Sequence, residues 1–255
     1  MEKLPGGREG IYRVRNQVIR PTNKTTQTIH SLLNHLHLQG FHHCPKPIAL
    51  DHEHEMVSFV EGQVYNYPLI GNIASKQALT SAAKLLRQMH DASASYIDSL
   101  KGNESWMLPA REPTEVICHG DYAPYNLVLN GQEAVGVIDF DTAHPAPRVW
   151  DLAYAIYCWA PFKTHEFDKM GTLDDQIARS RMFCKAYGAT QDMLINLPDV
   201  MIERLQALVS FMREEAGKGN EAFQQNLEDG HHLAYERDIQ YISQNKQMFL
   251  TELTK

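Results

Sequence analysis

Apolar residues in the opening segment come in short runs. Ile11, Tyr12 and Val14, then Val18 and Ile19, flank the turn-like Arg15-Asn16-Gln17. That is the pattern of a β-hairpin whose second strand is ended by Pro21. The period then changes. Ile29, Leu32, Leu33 and Leu36 fall on one face of a helix predicted over 25–38, with Gly40 as its stop. Strands follow at 48–50 and 56–60, around a polar turn at 51–55. From Glu61-Gly62 to about Arg111 the pattern predicts helix, clearest over 75–90, where Leu79, Ala82, Ala83, Leu86 and Met89 form a stripe. Strand character returns at 116–118, 127–129 and 134–138, with Asn130-Gly131 as the turn between the last two. After Asp151 the chain reads as helical, with breaks at Pro161, Gly171, Gly188, Pro198 and 217–219. The expected fold class is α+β: a small N-terminal sheet lobe over 1–61 and a larger, mostly helical lobe over 62–255.

A chain of 255 residues can bury a core without metals or disulfides. With 43% hydrophobic and 22% charged residues, wholesale disorder is excluded. The net charge of −7 argues against nucleic acid or an anionic membrane as the main partner, and is compatible with a cationic small molecule. Four cysteines without a C-x-x-C pair read as buried, reduced thiols. No apolar run has the length of a membrane span, and the polar start has no signal-peptide core, so a cytoplasmic protein is expected. Nothing in the pattern addresses oligomeric state.

The chemistry concentrates in Val116-Ile117-Cys118-His119-Gly120-Asp121, followed by Asn126, and in Ile138-Asp139-Phe140-Asp141. Apolar strands deliver polar residues at their ends, an arrangement that aims functional groups from a rigid base. Phosphoryl transfer needs a carboxylate to orient and deprotonate the attacking hydroxyl, and oxygen ligands for magnesium beside the nucleotide phosphates. A loop carboxylate, an amide downstream on that loop and a carboxylate on the next hairpin supply those parts. No zinc pattern, P-loop or G-x-S-x-G is present.

The H-G-D-x-x-x-x-N and I-D-F-D segments resemble the aminoglycoside phosphotransferase and choline kinase-like family, whose fold is that of protein kinases. The resemblance implies a kinase moving the terminal phosphate of ATP or GTP to a hydroxyl of a small molecule, such as an aminoglycoside or another cationic or sugar acceptor. It implies Asp121 as catalytic base, and Asn126 and Asp139 as magnesium ligands. Trp150-Asp151-Leu152-Ala153 is similar to a family segment in which Asp151 would start a helix and brace the catalytic loop; a simple helix N-cap is the other reading.

In the N-terminal lobe, Gly7 and Gly10 stand at glycine-loop spacing, and Phe59 and Val60 lie in a stretch similar to the adenine-binding hinge. Arg20 stands where the family has a phosphate-contacting lysine. No Asp or Glu occurs between Arg20 and Leu50, so the usual glutamate on the next helix is missing. Arg20 is therefore expected to be mobile without nucleotide. That absence also keeps open a catalytically weak or inactive nucleotide-binding protein; a magnesium-dependent phosphohydrolase is a third reading. Candidates for the acceptor pocket are Asp151, Trp159, Glu214, Glu215, Glu228, Asp229 and Tyr235.

Overall fold

The computed structural model describes residues 2–4 and 10–255. Strands β1 (Glu2–Lys3), β2 (Tyr12–Val14) and β3 (Gln17–Pro21) precede helix α1 (Thr26–Leu38), and β4 (Pro47–Leu50) and β5 (His54–Ser58) follow it. They form an antiparallel sheet in the order β1-β2-β3-β5-β4. The expected hairpin is β2–β3, turning at Arg15, whose φ is +56°. Ile29, Leu32, Leu33 and Leu36 are buried on α1, as the periodicity requires. The β3–β5 register sets Arg20 opposite Glu55.

Helix over all of 62–111 is not what forms. A two-residue strand, β6 (Gln63–Val64), pairs with β8 (Leu127–Asn130), and only α2 (Lys76–Ala94) is α-helical there. Pro68, Gly71, Pro109 and Pro113 interrupt the rest. Ser75 caps α2 by accepting the Ala78 N–H. β7 (Val116–Cys118) pairs with β10 (His144–Ala146), a strand the pattern did not announce because Pro145 lies inside it. β8 pairs with β9 (Glu133–Val137).

The helical part comprises α3 (Arg148–Trp159), α4 (Leu173–Tyr187), α5 (Gln191–Gly217), α6 (Glu221–Glu228) and α7 (His231–Leu253). Pro198 does not break the chain; it lies inside α5. Leu197, Met201 and Leu205, one face at a spacing of four, have no exposed surface. Burying that stripe outweighs the one backbone hydrogen bond the proline ring removes. All four cysteines are buried and unbridged. Among the described residues no helix is long and apolar enough to cross a membrane.

Candidate active site

The loop after β7 is held from beneath. Asp151, fully buried in the first turn of α3, accepts the His119 N–H at 2.6 Å and the Gly120 N–H at 3.0 Å. Pro147 is the N-cap of α3, so Asp151 braces the loop and is not the cap. His90 from α2 meets the Asp151 carboxylate at 3.0 Å and is held in turn by the Tyr187 hydroxyl at 2.7 Å. Burial would raise the Asp151 carboxyl, but the bonds and charge from His90 and His119 outweigh it and hold the group at about 2. Arg204, buried on α5, donates to the Gly120 carbonyl oxygen. Gly120 has φ +82°, and a Cβ there would run into the Thr142 carbonyl oxygen, so only glycine fits.

His119 ties the loop to the second hairpin. Its Nδ1 accepts the Asp121 N–H at 3.3 Å, so its Nε2 is the donor to the Ile138 carbonyl oxygen at 2.9 Å. The Ile138 N–H donates to the Asn126 carbonyl oxygen, which sets the end of β9 beside Asn126. The Asp121 carboxylate is oriented on both oxygens: Oδ1 accepts the Tyr125 hydroxyl at 2.9 Å, and Oδ2 accepts Asn126 Nδ2 at 2.8 Å. Burial first, then the Asp121 charge, pushes the Tyr125 hydroxyl well above its ordinary range, so it stays a donor. With Nδ2 used on Asp121, the Asn126 amide has its oxygen left for a cation. Asp139 stands at φ +62°, a left-handed conformation that turns the chain out of β9. Its side chain is 54% exposed.

Arg20 has acidic partners without nucleotide, contrary to the expectation that it would be left without one. Its Nε donates to Glu55 Oε1 at 2.7 Å, and its Nη2 to Asp141 Oδ1 at 3.0 Å, while Nη1 lies 3.6 Å from Asp139 Oδ1. Burial opposes the guanidinium charge, but Asp141, Glu55 and Asp139 together raise its pKa. Glu55 is 1% exposed, and its second oxygen meets His30 Nε2 of α1 at 2.7 Å. The carboxylate missing from the helix thus comes from the neighbouring strand, and the helix supplies a histidine behind it. The signal was the last of three carboxylates in 51–55, the one that opens the apolar strand, in a segment the pattern assigned to a turn.

Other expected residues fall as follows. Gly7 lies outside the described residues. Gly10 has φ +81°, and a Cβ on it would meet the Pro21 ring at 3.1 Å, so this backbone passes close over the residue after Arg20. The Phe59 N–H donates to the Asn16 carbonyl oxygen, and the Phe59 ring lies under the Arg13 guanidinium at 3.6 Å. Val60 is partly buried and packs where a Cβ on Gly136 would stand. Trp159 and Asp151 are fully buried and cannot line an open acceptor pocket, and Glu214 and Glu215 are paired with Lys218 on the surface. Glu228 at the end of α6 and Asp229 beside it are both exposed. Tyr235 approaches Asp121 closely enough for that charge, after burial and Cys158, to help raise its hydroxyl.

Residues 97–182 match the model of the phosphotransferase enzyme family. The match spans Asp121, Asn126, Asp139 and Asp151, so the resemblance read from the motifs is borne out. The chain is 28% identical over 210 residues to the trifolitoxin immunity protein of Rhizobium leguminosarum bv. trifolii, covering 77% of each chain. Among solved structures it is similar to a choline/ethanolamine kinase family protein of Mesorhizobium loti, at 12% identity and a TM-score of 0.64, covering 99% of this chain and 92% of that one. It is also similar to a choline kinase of Streptococcus pneumoniae, at 14% identity and 0.55, covering 95% and 93%. The GDP complex of an aminoglycoside 2′-phosphotransferase gives 14% identity and 0.58, over 97% and 93%. The fold is accordingly that of the kinase-like phosphotransferases.

Proposed function

We propose that the protein is a small-molecule kinase that moves the terminal phosphate of ATP or GTP to a hydroxyl acceptor, with the nucleotide held between residues 1–61 and 62–255. The observation that carries the reading is the meeting of Arg20 with Asp139 and Asp141. It joins a phosphate-binding cation on the small sheet to the carboxylates after β9, one loop away from Asp121. In this reading Asp121 takes the acceptor's proton: each of its oxygens already accepts one hydrogen bond, which fixes its plane and leaves lone pairs for the incoming hydroxyl. The Asn126 amide oxygen and the Asp139 carboxylate form an all-oxygen donor set that fits magnesium. When bound, magnesium would neutralise charge on the phosphates. Arg20 would share that task from the sheet side.

The inactive-protein reading rested on the missing helix carboxylate and on a glycine loop with Pro5 in place of a first glycine. Glu55 answers the first of these, and residues 5–9 of the loop lie outside the described residues. The Rhizobium relative's name, that of a toxin immunity protein, favours adding toxic compounds to the acceptor set. The test is a coupled nucleotide-turnover assay, with and without magnesium, over aminoglycosides, aminoalcohols, sugars, hydroxy acids and water alone. Acceptor-dependent turnover is expected, and Asp121→Asn should lower it by about 10²–10⁴-fold with the fold intact. Turnover of that variant within about threefold of wild type, on the order of 0.7 kcal/mol in the barrier, would rule out the base.

A further inference from the structure

The wall beside Asp121 is made of tyrosines. Tyr125 donates to Asp121, and its ring meets Tyr67 edge-on with centroids 6.4 Å apart. The Tyr67 hydroxyl is fixed on the Cys158 carbonyl oxygen at 2.9 Å. Tyr157, next to Cys158 on α3, packs against Tyr154 and Tyr235. Burial above all, with Asp121 and neighbouring groups adding to it, keeps the hydroxyls of Tyr125, Tyr154 and Tyr235 in their neutral form. Converging neutral rings, with negative faces and a carboxylate close by, make a slot suited to a cation.

The chain fills that slot with its own cation. Lys163 Nζ lies 4.9 Å from the centroid of the Tyr67 ring and 4.4 Å from that of Tyr157. It also donates to the Tyr157 hydroxyl oxygen at 3.2 Å. That hydroxyl gives its own proton to Asp238 Oδ2 at 2.7 Å, so a lone pair is turned toward the lysine. Asp238 is buried, and its other oxygen is held by the Thr164 N–H and hydroxyl, both at 2.7 Å. Among the described residues Lys163 Nζ is in no ion pair. Tyr67, Tyr125, Asp121 and Lys163 each keep part of their surface open. The ammonium is therefore fixed by rings and one hydroxyl, and its charge is not cancelled by a carboxylate in contact.

We propose that Lys163 determines acceptor specificity: it occupies the place an ammonium-bearing acceptor would need, and offers its charge to an acceptor carrying a carboxylate beside the hydroxyl, a hydroxy acid. The inference rests on the phosphotransferase reading for its acceptor, and it replaces the cationic acceptor that the family resemblance implied and the net charge allowed. The slot itself is tested without turnover. Choline is titrated calorimetrically into the full-length wild type, Lys163→Met and Lys163→Ala, with thermal unfolding of each as a check on folding. Both variants should bind choline at least about tenfold more tightly than wild type. Equal affinity in all three, including no binding in any, would overturn the proposal. In the coupled assay, wild type should show a KM for glycerate at least about tenfold below those for glycerol and choline, and Lys163→Met should raise the glycerate KM with kcat little changed. Preference of wild type for choline or glycerol would likewise overturn it. Absence of turnover with every acceptor strikes the phosphotransferase reading, and leaves the choline titration to decide the slot.

Discussion

Removing the Glu55 carboxylate should destabilise the protein more than removing any exposed ion pair. Glu55 is 1% exposed and holds two partners, Arg20 Nε and His30 Nε2, each at 2.7 Å. A hydrogen bond to a charged group contributes about 1.5–3 kcal/mol, and breaking a buried pair from one side costs about 3–5 kcal/mol. In Glu55→Ala the Arg20 guanidinium keeps Asp141 at 3.0 Å and Asp139 at 3.6 Å, so its charge is not left alone. The lower end applies, about 3 kcal/mol, or a drop in Tm of about 6–12 °C for a chain of this size. Glu55→Gln keeps the volume and one acceptor oxygen, and should cost about half as much. Urea unfolding should show the midpoint falling at unchanged m. The decisive measurement is the double-mutant cycle with Arg20→Met, where a coupling of about 2 kcal/mol is expected. A Glu55→Ala loss below about 0.5 kcal/mol, or a coupling near zero, would refute the claim that this pair holds the sheet side of the site.

Asp151→Asn replaces one of two oxygens that accept the His119 and Gly120 N–H groups with a donor, so Tm should fall by on the order of 10 °C and turnover with it; unchanged values in thermal unfolding and the coupled assay would contradict the brace. Burial pushes His144 down to about 4, against about 6.5 unfolded, so the unfolded chain binds the proton first as pH falls. Stability is then full above about 6.5 and is lost progressively toward 4, by at most on the order of 3 kcal/mol, and urea midpoints for wild type and His144→Gln should converge over that window.

Periodicity made the elements legible wherever one face of a single element is buried. The α1 stripe, the α2 stripe and the β8–β9 hairpin needed no knowledge of the rest of the chain. The grouping of Asp121, Asn126 and Asp139, whose roles belong to the proposed function, was legible for a related reason: loop and hairpin are consecutive, so their order along the chain is nearly their order in space. What stayed hidden depends on contacts between distant segments. Glu55 reaches Arg20 through strand pairing across α1 and β4, and a search confined to the next helix passes it by. His90 reads as the end of a helical stripe, and nothing near it in sequence announces Asp151. Lys163 follows Pro161 in a stretch with no period, and its rings come from Tyr67 and Tyr157.

The choice of arginine at position 20 follows from that same geometry. A lysine presents one nitrogen, whose hydrogen bonds all start from a single point. The guanidinium instead spreads its donors along a rigid fork, and here each nitrogen faces a different carboxylate: Nε faces Glu55, Nη2 faces Asp141 and Nη1 faces Asp139. Glu55 belongs to the small sheet, while the two aspartates belong to the segment after β9. One side chain therefore stays anchored on the sheet through Nε while its outer nitrogens reach the opposite wall. Under the proposed function, incoming phosphates would compete for those outer nitrogens and leave the Nε–Glu55 bond in place. The cation could then change partners without losing its position. A helix carboxylate was never required for this, because the strand beside Arg20 holds the fork from behind.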